Sequence, residues 1–284
     1  MDKLGDIKSF NKNWKNREEA NYSHWTRKKP INQIQLAFRE HWKLFKKIIN
    51  DNLKSLKKNK KQKKILEVGC GRGTLGAYFS DVGYNVYLLD KSKNVIKLAK
   101  RFFAKNKLKA KFIESDCLKI PYKPNYFDLI FSIGLFEHFT DPKQAIKEQI
   151  RVLKKNGIII LYIVPQKKSI NQDKFNWVND LLVSYLPKKK KINNKEKVFR
   201  SSFGLKYYVK ILKAFNIKKI RASGIYPVPM ISHSIDFPFS LMPQKAEKIF
   251  ISEVYTILKK NNHEYSNWLC TEKEGQAIIL WGVK

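Results

Sequence analysis

The chemistry of this chain concentrates where glycines and carboxylates close short apolar runs. Ile65-Leu66-Glu67-Val68-Gly69-Cys70-Gly71-Arg72-Gly73 reads as a strand entering a turn of alternating glycines. Such a turn brings backbone close to a ligand and aims the N–H groups of a following helix at it. Glu67 stands before the first glycine, where a carboxylate suits a cationic ligand and would repel a pyrophosphate. Asp90 closes the next apolar run, at roughly the twenty-residue spacing from which a carboxylate can accept both ribose hydroxyls. Ser115-Asp116-Cys117 ends a third run, within reach of an adenine amino group. Each feature alone has a plainer reading. Several kinds of nucleotide binder, dehydrogenases among them, use a glycine turn, and Asp90 by itself could cap the helix that follows Ser92.

Such residues need a parallel sheet to hold them. Residues 64–68, 85–89, 110–114, 127–133 and 157–164 are predicted strands, with helices predicted over 75–81, 94–104 and 142–153. This alternation means βαβ units and helices on both faces of the sheet. Upstream, Ile34, Phe38, Trp42, Phe45, Ile49, Leu53 and Leu56 recur at three- and four-residue spacing, the stripe of a long amphipathic helix. The lysine-rich stretch 57–64 ends it and reads as a solvated connection. Beyond Pro165 the rhythm loosens. A helix is predicted over 175–186, a basic turn at 187–191, and a helix over 205–215 capped by Ser202. A strand at 217–223, an aromatic and proline-rich loop at 226–243, a helix at 244–260 and a last strand at 276–283 complete the chain.

Taken together, the motifs resemble those of the class I S-adenosylmethionine-dependent methyltransferases, most closely the small-molecule branch, over residues 65–164. Residues 127–138, Phe-Asp-Leu-Ile-Phe-Ser-Ile-Gly-Leu-Phe-Glu-His, look like the family's fourth motif. Residues 151–157 look like its turn before strand five, with Asn156 where Pro or Gly is usual; Asn tolerates that geometry. The resemblance implies S-adenosylmethionine as cofactor. Gly69, Gly71 and Gly73 would cradle its methionine part, Asp90 its ribose and Asp116 its adenine. Lys91 would line the adenine face and Cys117 would supply a neighbouring amide. Glu67, Cys70, Ile133 and Gly134 complete the expected lining, and Tyr22 would close over it. The implied fold is α/β, a doubly wound, mostly parallel, seven-stranded Rossmann-like sheet. Residues 1–60 form an N-terminal helical extension, and 61–284 the methyltransferase domain with lid-like, substrate-covering segments near 166–204 and 226–270.

A sulfonium methyl is already electrophilic, so the protein mainly aligns an acceptor and excludes water. His138 is the candidate base, with Glu137 to orient it, although a Glu-His pair here often only shapes the loop. His24 and His233 are weaker alternatives. Trp25, Tyr226 and His233 lie in the aromatic segments expected to touch substrate, which otherwise merely cover the core. No residue is assigned to a metal.

The net charge of +34 is the compositional anomaly. The excess is mostly lysine among abundant Asn and Ile, as an A/T-rich coding sequence would produce, and arginine, the better phosphate reader, is scarce. A small-molecule acceptor, apolar or aromatic, is therefore favoured. The alternative is an RNA methyltransferase holding phosphates with lysine. It lacks the amine-methylating tetrapeptide in strand four, where Ser132-Ile133-Gly134-Leu135 stands, and a cysteine pair for pyrimidine C5 chemistry. A non-catalytic cofactor sensor is a third reading. No apolar run reaches membrane-spanning length, the N-terminus lacks a secretion signal, and the cysteines Cys70, Cys117 and Cys270 form no disulfide framework. The expectation is a reduced, cytoplasmic protein; the basic surface and aromatics leave a peripheral membrane contact open.

Overall fold

Five strands follow from the apolar runs. β1 (Lys64–Val68), β2 (Asn85–Asp90), β3 (Lys111–Glu114), β4 (Phe127–Ile133) and β5 (Leu153–Ile163) lie parallel in the order β3-β2-β1-β4-β5. The computed structural model describes residues 24–52, 60–184, 199–231, 244–261 and 263–284. Tyr22, His233, Leu53, Leu56, the basic turn at 187–191 and most of the loop expected at 226–243 lie outside them. The order reverses between β1 and β4, the switch point at which open α/β sheets hold their ligands outside the carboxyl ends of the strands. β8 (Ala277–Val283) pairs antiparallel with β5, and β6 (Lys218–Ile225) pairs antiparallel with β8.

Among the described residues there are eight strands rather than the seven expected. The additional one, β7 (Leu269–Cys270), pairs with Gly224 and Ile225 on β6. Two residues are too few to leave a period in the sequence, so only the partner strand reveals them. β5 also starts earlier than expected, directly at the end of α4 (Lys143–Val152), and its register against β4 shifts between Phe127 and Leu129. Asn156, with φ of 61°, takes up that irregularity.

Helices cover both faces. α1 (Gln33–Asn52) starts at Asn32, whose side chain accepts the Gln35 N–H, and buries Leu36, Trp42, Phe45 and Ile48. Phe45 meets Phe131 of β4 edge to face at 5.5 Å. α2 (Thr74–Asp81), α3 (Lys93–Lys105) and α8 (Gln244–Lys260) share this core, with Phe79, Phe103 and Val254 among its members. α4 and α7 (Leu205–Ala214) pack on the opposite face, through Ile146, Tyr208 and Leu212. Short helices α5 (Ile170–Asp173) and α6 (Asn176–Ser184) follow β5.

The cap of α7 differs from expectation. Gly204, not Ser202, occupies the N-cap position, and the Leu205 N–H donates to Glu272 Oε1 at 2.9 Å. A carboxylate 67 residues away in sequence does what a local hydroxyl was expected to do. Among the described residues, no helix is long and apolar enough to cross a membrane.

Candidate active site

The glycine turn joins β1 to α2 with Gly69, Gly71 and Gly73 all at positive φ, between 52° and 69°. Leaving β1 and entering α2 so abruptly requires the left-handed region, which glycine reaches without a Cβ clash. Space also demands it: a Cβ on Gly73 would lie 2.6 Å from Leu88 Cδ1, and one on Gly69 would lie 2.9 Å from Leu135 Cδ1. The second contact places the turn directly against the loop that follows β4.

Asp90 ends β2 with both oxygens held by backbone. Oδ2 accepts the Gly71 N–H at 3.2 Å, and Oδ1 accepts the Ser92 N–H at 3.0 Å. One carboxylate thus ties the glycine turn to the neighbouring strand, and Ser92, not Asp90, caps α3. Burial raises the Asp90 pKa, opposed by the amides of Ser92, Gly71 and Lys91. Beyond β3, Lys91 Nζ donates to Asp116 Oδ2 at 2.7 Å, while Asp116 Oδ1 accepts the Leu118 N–H. Burial pushes the Asp116 carboxyl up, but the Lys91 ammonium and the amide outweigh it and leave it below its ordinary value. Cys117 is buried beside this pair, its thiol pushed up to about 12 by burial.

Glu67 departs from its expected role. Its side chain is buried and does not open toward a ligand; Oε2 accepts the Gly76 N–H of α2 at 2.9 Å. A Cβ at Gly76 would lie 2.7 Å from that oxygen. Burial raises the Glu67 carboxyl to about 8, so at neutral pH it is largely protonated and anchors the helix start. Cys70 is likewise turned inward, and its N–H donates to Leu89 O.

Past Ile133, Gly134 (φ 66°) donates its N–H to Tyr162 O of β5 and opens the Phe136–His138 turn. Glu137 is buried there, and burial raises its carboxyl to about 7 against the pull of backbone amides and the Arg200 charge. Its Oε2 has no hydrogen-bond partner among the described residues. The expectation that Glu137 orients His138 is not met. His138 Nδ1–H donates to Phe199 O at 2.8 Å, and Nε2 stays 3.9 Å from Glu137 Oε1, beyond hydrogen-bond reach. Ser201 then bridges the two strand ends, its N–H donating to Glu137 O and its carbonyl accepting the Gln166 N–H.

The aromatic segments separate. Tyr226 is buried, 4.8 Å from Trp268 and 6.3 Å from His41, whose ring lies 4.8 Å from that of Tyr162. These rings gather at the carboxyl end of β5. Trp25 does not join them. It packs on Tyr78 and Phe102, beside Arg27, which bonds Asp81 and Asn106 at the C-terminal ends of α2 and α3. Those helices run back across the sheet, so Trp25 lies toward its opposite end. An aromatic residue near the N-terminus carries no mark of which end it will cover.

Sequence reasoning missed His41, Phe199 and Arg200. His41 sits inside an amphipathic helix and is held neutral by burial, its pKa lowered to about 4, with Nδ1–H donating to Ala37 O. It also missed the amide clamps overhead. Gln33 bonds Pro229 O and the Ile231 N–H, while Gln172 accepts the Met230 N–H and Asn179 donates to Met230 O.

Comparison with known proteins agrees with this geometry. The family described as a methyltransferase domain matches residues 66–161. Over 174 residues the chain is 33% identical to an uncharacterized protein of Methanocaldococcus jannaschii, covering 61% of this chain and 67% of that one. Over 144 residues it is 35% identical to a ubiquinone biosynthesis O-methyltransferase of Pelagibacter ubique. The chain belongs to the class I S-adenosylmethionine-dependent methyltransferases. The Pelagibacter match covers 49% of this chain and 58% of that relative's length. Among solved structures, the YcgJ protein of Bacillus subtilis aligns over 86% of this chain and 98% of its own, at 18% identity and TM-score 0.51. That likeness is one of fold. S-adenosylmethionine is the cofactor of this methyltransferase family, and the site passes a test of fit. The positive-φ turn presents backbone where a Cβ would intrude, and the Asp90 carboxylate at the end of β2 keeps free lone pairs beside it.

Proposed function

We propose that this protein transfers the methyl group of S-adenosylmethionine to a small-molecule acceptor with an aromatic or otherwise apolar body. One observation carries the reading: the glycine turn, tied to Asp90 through the Gly71 N–H, abuts the loop after β4 at the switch point, through Gly69 and Leu135. Methyl donor and proton-holding group would then share one crevice. When bound, the cofactor supplies an electrophilic methyl for direct displacement.

This chain's own residues do the rest. Gly69, Gly71 and Gly73 would hold the methionine part with backbone, and Asp90 would accept the ribose hydroxyls. The Lys91–Asp116 pair and Cys117 would flank adenine, with Cys70, Ile133 and Gly134 completing the lining. Glu67 would act one step back, by fixing the start of α2. Glu137 is the group we assign to proton transfer, because its unpartnered Oε2 titrates near neutrality beside Gly134. His138 is a positioning residue that holds the 199–201 strap. The rings of Tyr162, Tyr226 and His41 would exclude water on the β5 side. The name of the Pelagibacter relative supports a ring-bearing acceptor methylated on oxygen.

Transfer of labelled methyl into host extract, split into small-molecule, lipid and RNA fractions, tests this. Label in the small-molecule or lipid fraction is expected. Ribonuclease-sensitive label would replace the reading with an RNA substrate held by the lysine excess.

A further inference from the structure

An open groove of about 570 Å³ runs beside the Glu137–His138 turn, lined among others by Thr140, Gln166, Phe199, Arg200, Ser202 and Phe203. That size suits a small organic molecule. Its floor is the strap that Ser201 pins to both strand ends. Arg200 is partly buried in this groove, yet it has no hydrogen-bond or ion-pair partner among the described residues. An arginine held in this way has lost part of its hydration without an ion pair among the described residues to compensate, and its planar fork matches a carboxylate or phosphate. The Thr140 and Ser202 hydroxyls and the Gln166 amide offer further donors along the same wall. Two aromatic rings flank it. Phe203 stacks on Tyr207 with centroids 4.0 Å apart, and Phe199 is 42% exposed. The Arg200 charge also acts on the buried Glu137 carboxyl, which places the groove next to the proton-holding group.

We infer that this groove receives an anionic group of the methyl acceptor, a carboxylate or phosphate carried on an aromatic ring, with Arg200 as the anion's partner and Phe199 and Phe203 against the ring. The inference rests on the methyl-transfer reading for its biological sense, though the groove can be tested without turnover. The acceptor class it names is an acidic aromatic compound, anchored by its anion at Arg200 with its methylated atom toward Gly134.

The test is calorimetric titration of the full chain, with and without saturating S-adenosylhomocysteine, using benzoate, phenyl phosphate and the neutral benzamide. At least one anion is expected to bind tenfold or more tightly than benzamide. Preference for benzoate assigns a carboxylate, and preference for phenyl phosphate assigns a phosphate. Arg200→Gln should abolish the preference and Arg200→Lys should retain part of it, with S-adenosylhomocysteine affinity within about twofold of wild type. Equal binding of all three probes, no binding of any, or a preference that survives in Arg200→Gln overturns the inference. Failure of S-adenosylhomocysteine to bind would instead strike the methyl-transfer reading, and the titration without it would still decide the groove.

Discussion

The two sides of the crevice are built on different scales. On the cofactor side, the hydrogen bonds that shape the turn lie within Glu67–Asp90: Gly76 to Glu67, Gly71 to Asp90, Cys70 to Leu89. On the acceptor side, Phe199 reaches His138 across 61 residues, Gln33 reaches Pro229 across 196, and Glu272 reaches Leu205 across 67. The first side is a motif; the second is an assembly. A local motif can bind a common cofactor in many proteins, whereas an assembly of distant segments can be reshaped for each acceptor without disturbing it.

If that division is real, variants on one side should leave the other intact. The largest effect is expected from Glu67→Gln, read as stability against pH. The folded carboxyl, near 8, binds its proton more tightly than the unfolded one, whose ordinary value is 4.5. Its contribution is therefore full below about pH 4.5 and is lost as pH rises through about 8. Every tenfold gain in proton affinity on folding corresponds to about 1.4 kcal/mol, so roughly several kcal/mol are at stake. Denaturant melts from pH 5 to 9 should flatten in Glu67→Gln, which keeps an acceptor for the Gly76 N–H; an unchanged slope would mean that Glu67 does not titrate in this range.

On the acceptor side, wild-type turnover is expected to rise with pH through about 7 as Glu137 ionises. Glu137→Gln should lower turnover roughly 100-fold and remove that limb, with S-adenosylhomocysteine affinity preserved. Full turnover across pH in the variant would remove Glu137 as the proton acceptor. Asp90→Ala should do the converse. S-adenosylhomocysteine affinity is expected to fall about 10- to 100-fold, since bonds to a charged group contribute about 1.5–3 kcal/mol each. The calorimetric control is a protein that remains folded, and unchanged affinity would take Asp90 out of the site.

The smallest effect belongs to the clamp. Gln33→Ala leaves the buried Ile231 N–H without its acceptor, at a cost of about 1–3 kcal/mol and a Tm lower by a few degrees. Cofactor affinity should not change. A parallel loss of S-adenosylhomocysteine binding would show that the two sides are coupled after all.

The legibility of the protein follows the same line. β1, β4 and α8 have the limits their sequences predict, because apolar runs and helical stripes report burial directly. The turn glycines and Asp90 are readable because their partners lie a few residues or one βα unit away. Trp25 and the α7 cap are misplaced by a reading of sequence because local sequence does not record which distant surface will pack there. His41 illustrates the limit best. It occupies a helix stripe like any core residue, and only the arrival of Tyr162, Tyr226 and Trp268 makes its site aromatic and its ring neutral.

By itself, then, the sequence determined the parallel sheet, the glycine turn and the carboxylate beside it, because periodicity and positive-φ demands are properties of short stretches of chain. Only the tertiary structure decided that Glu67 anchors a helix, that Glu137 is buried with an oxygen unpartnered among the described residues, and that Arg200 acts on it while making no hydrogen bond or ion pair among those residues. Those three facts depend on desolvation and on which groups meet across the fold, and both are set by packing between segments far apart in the chain.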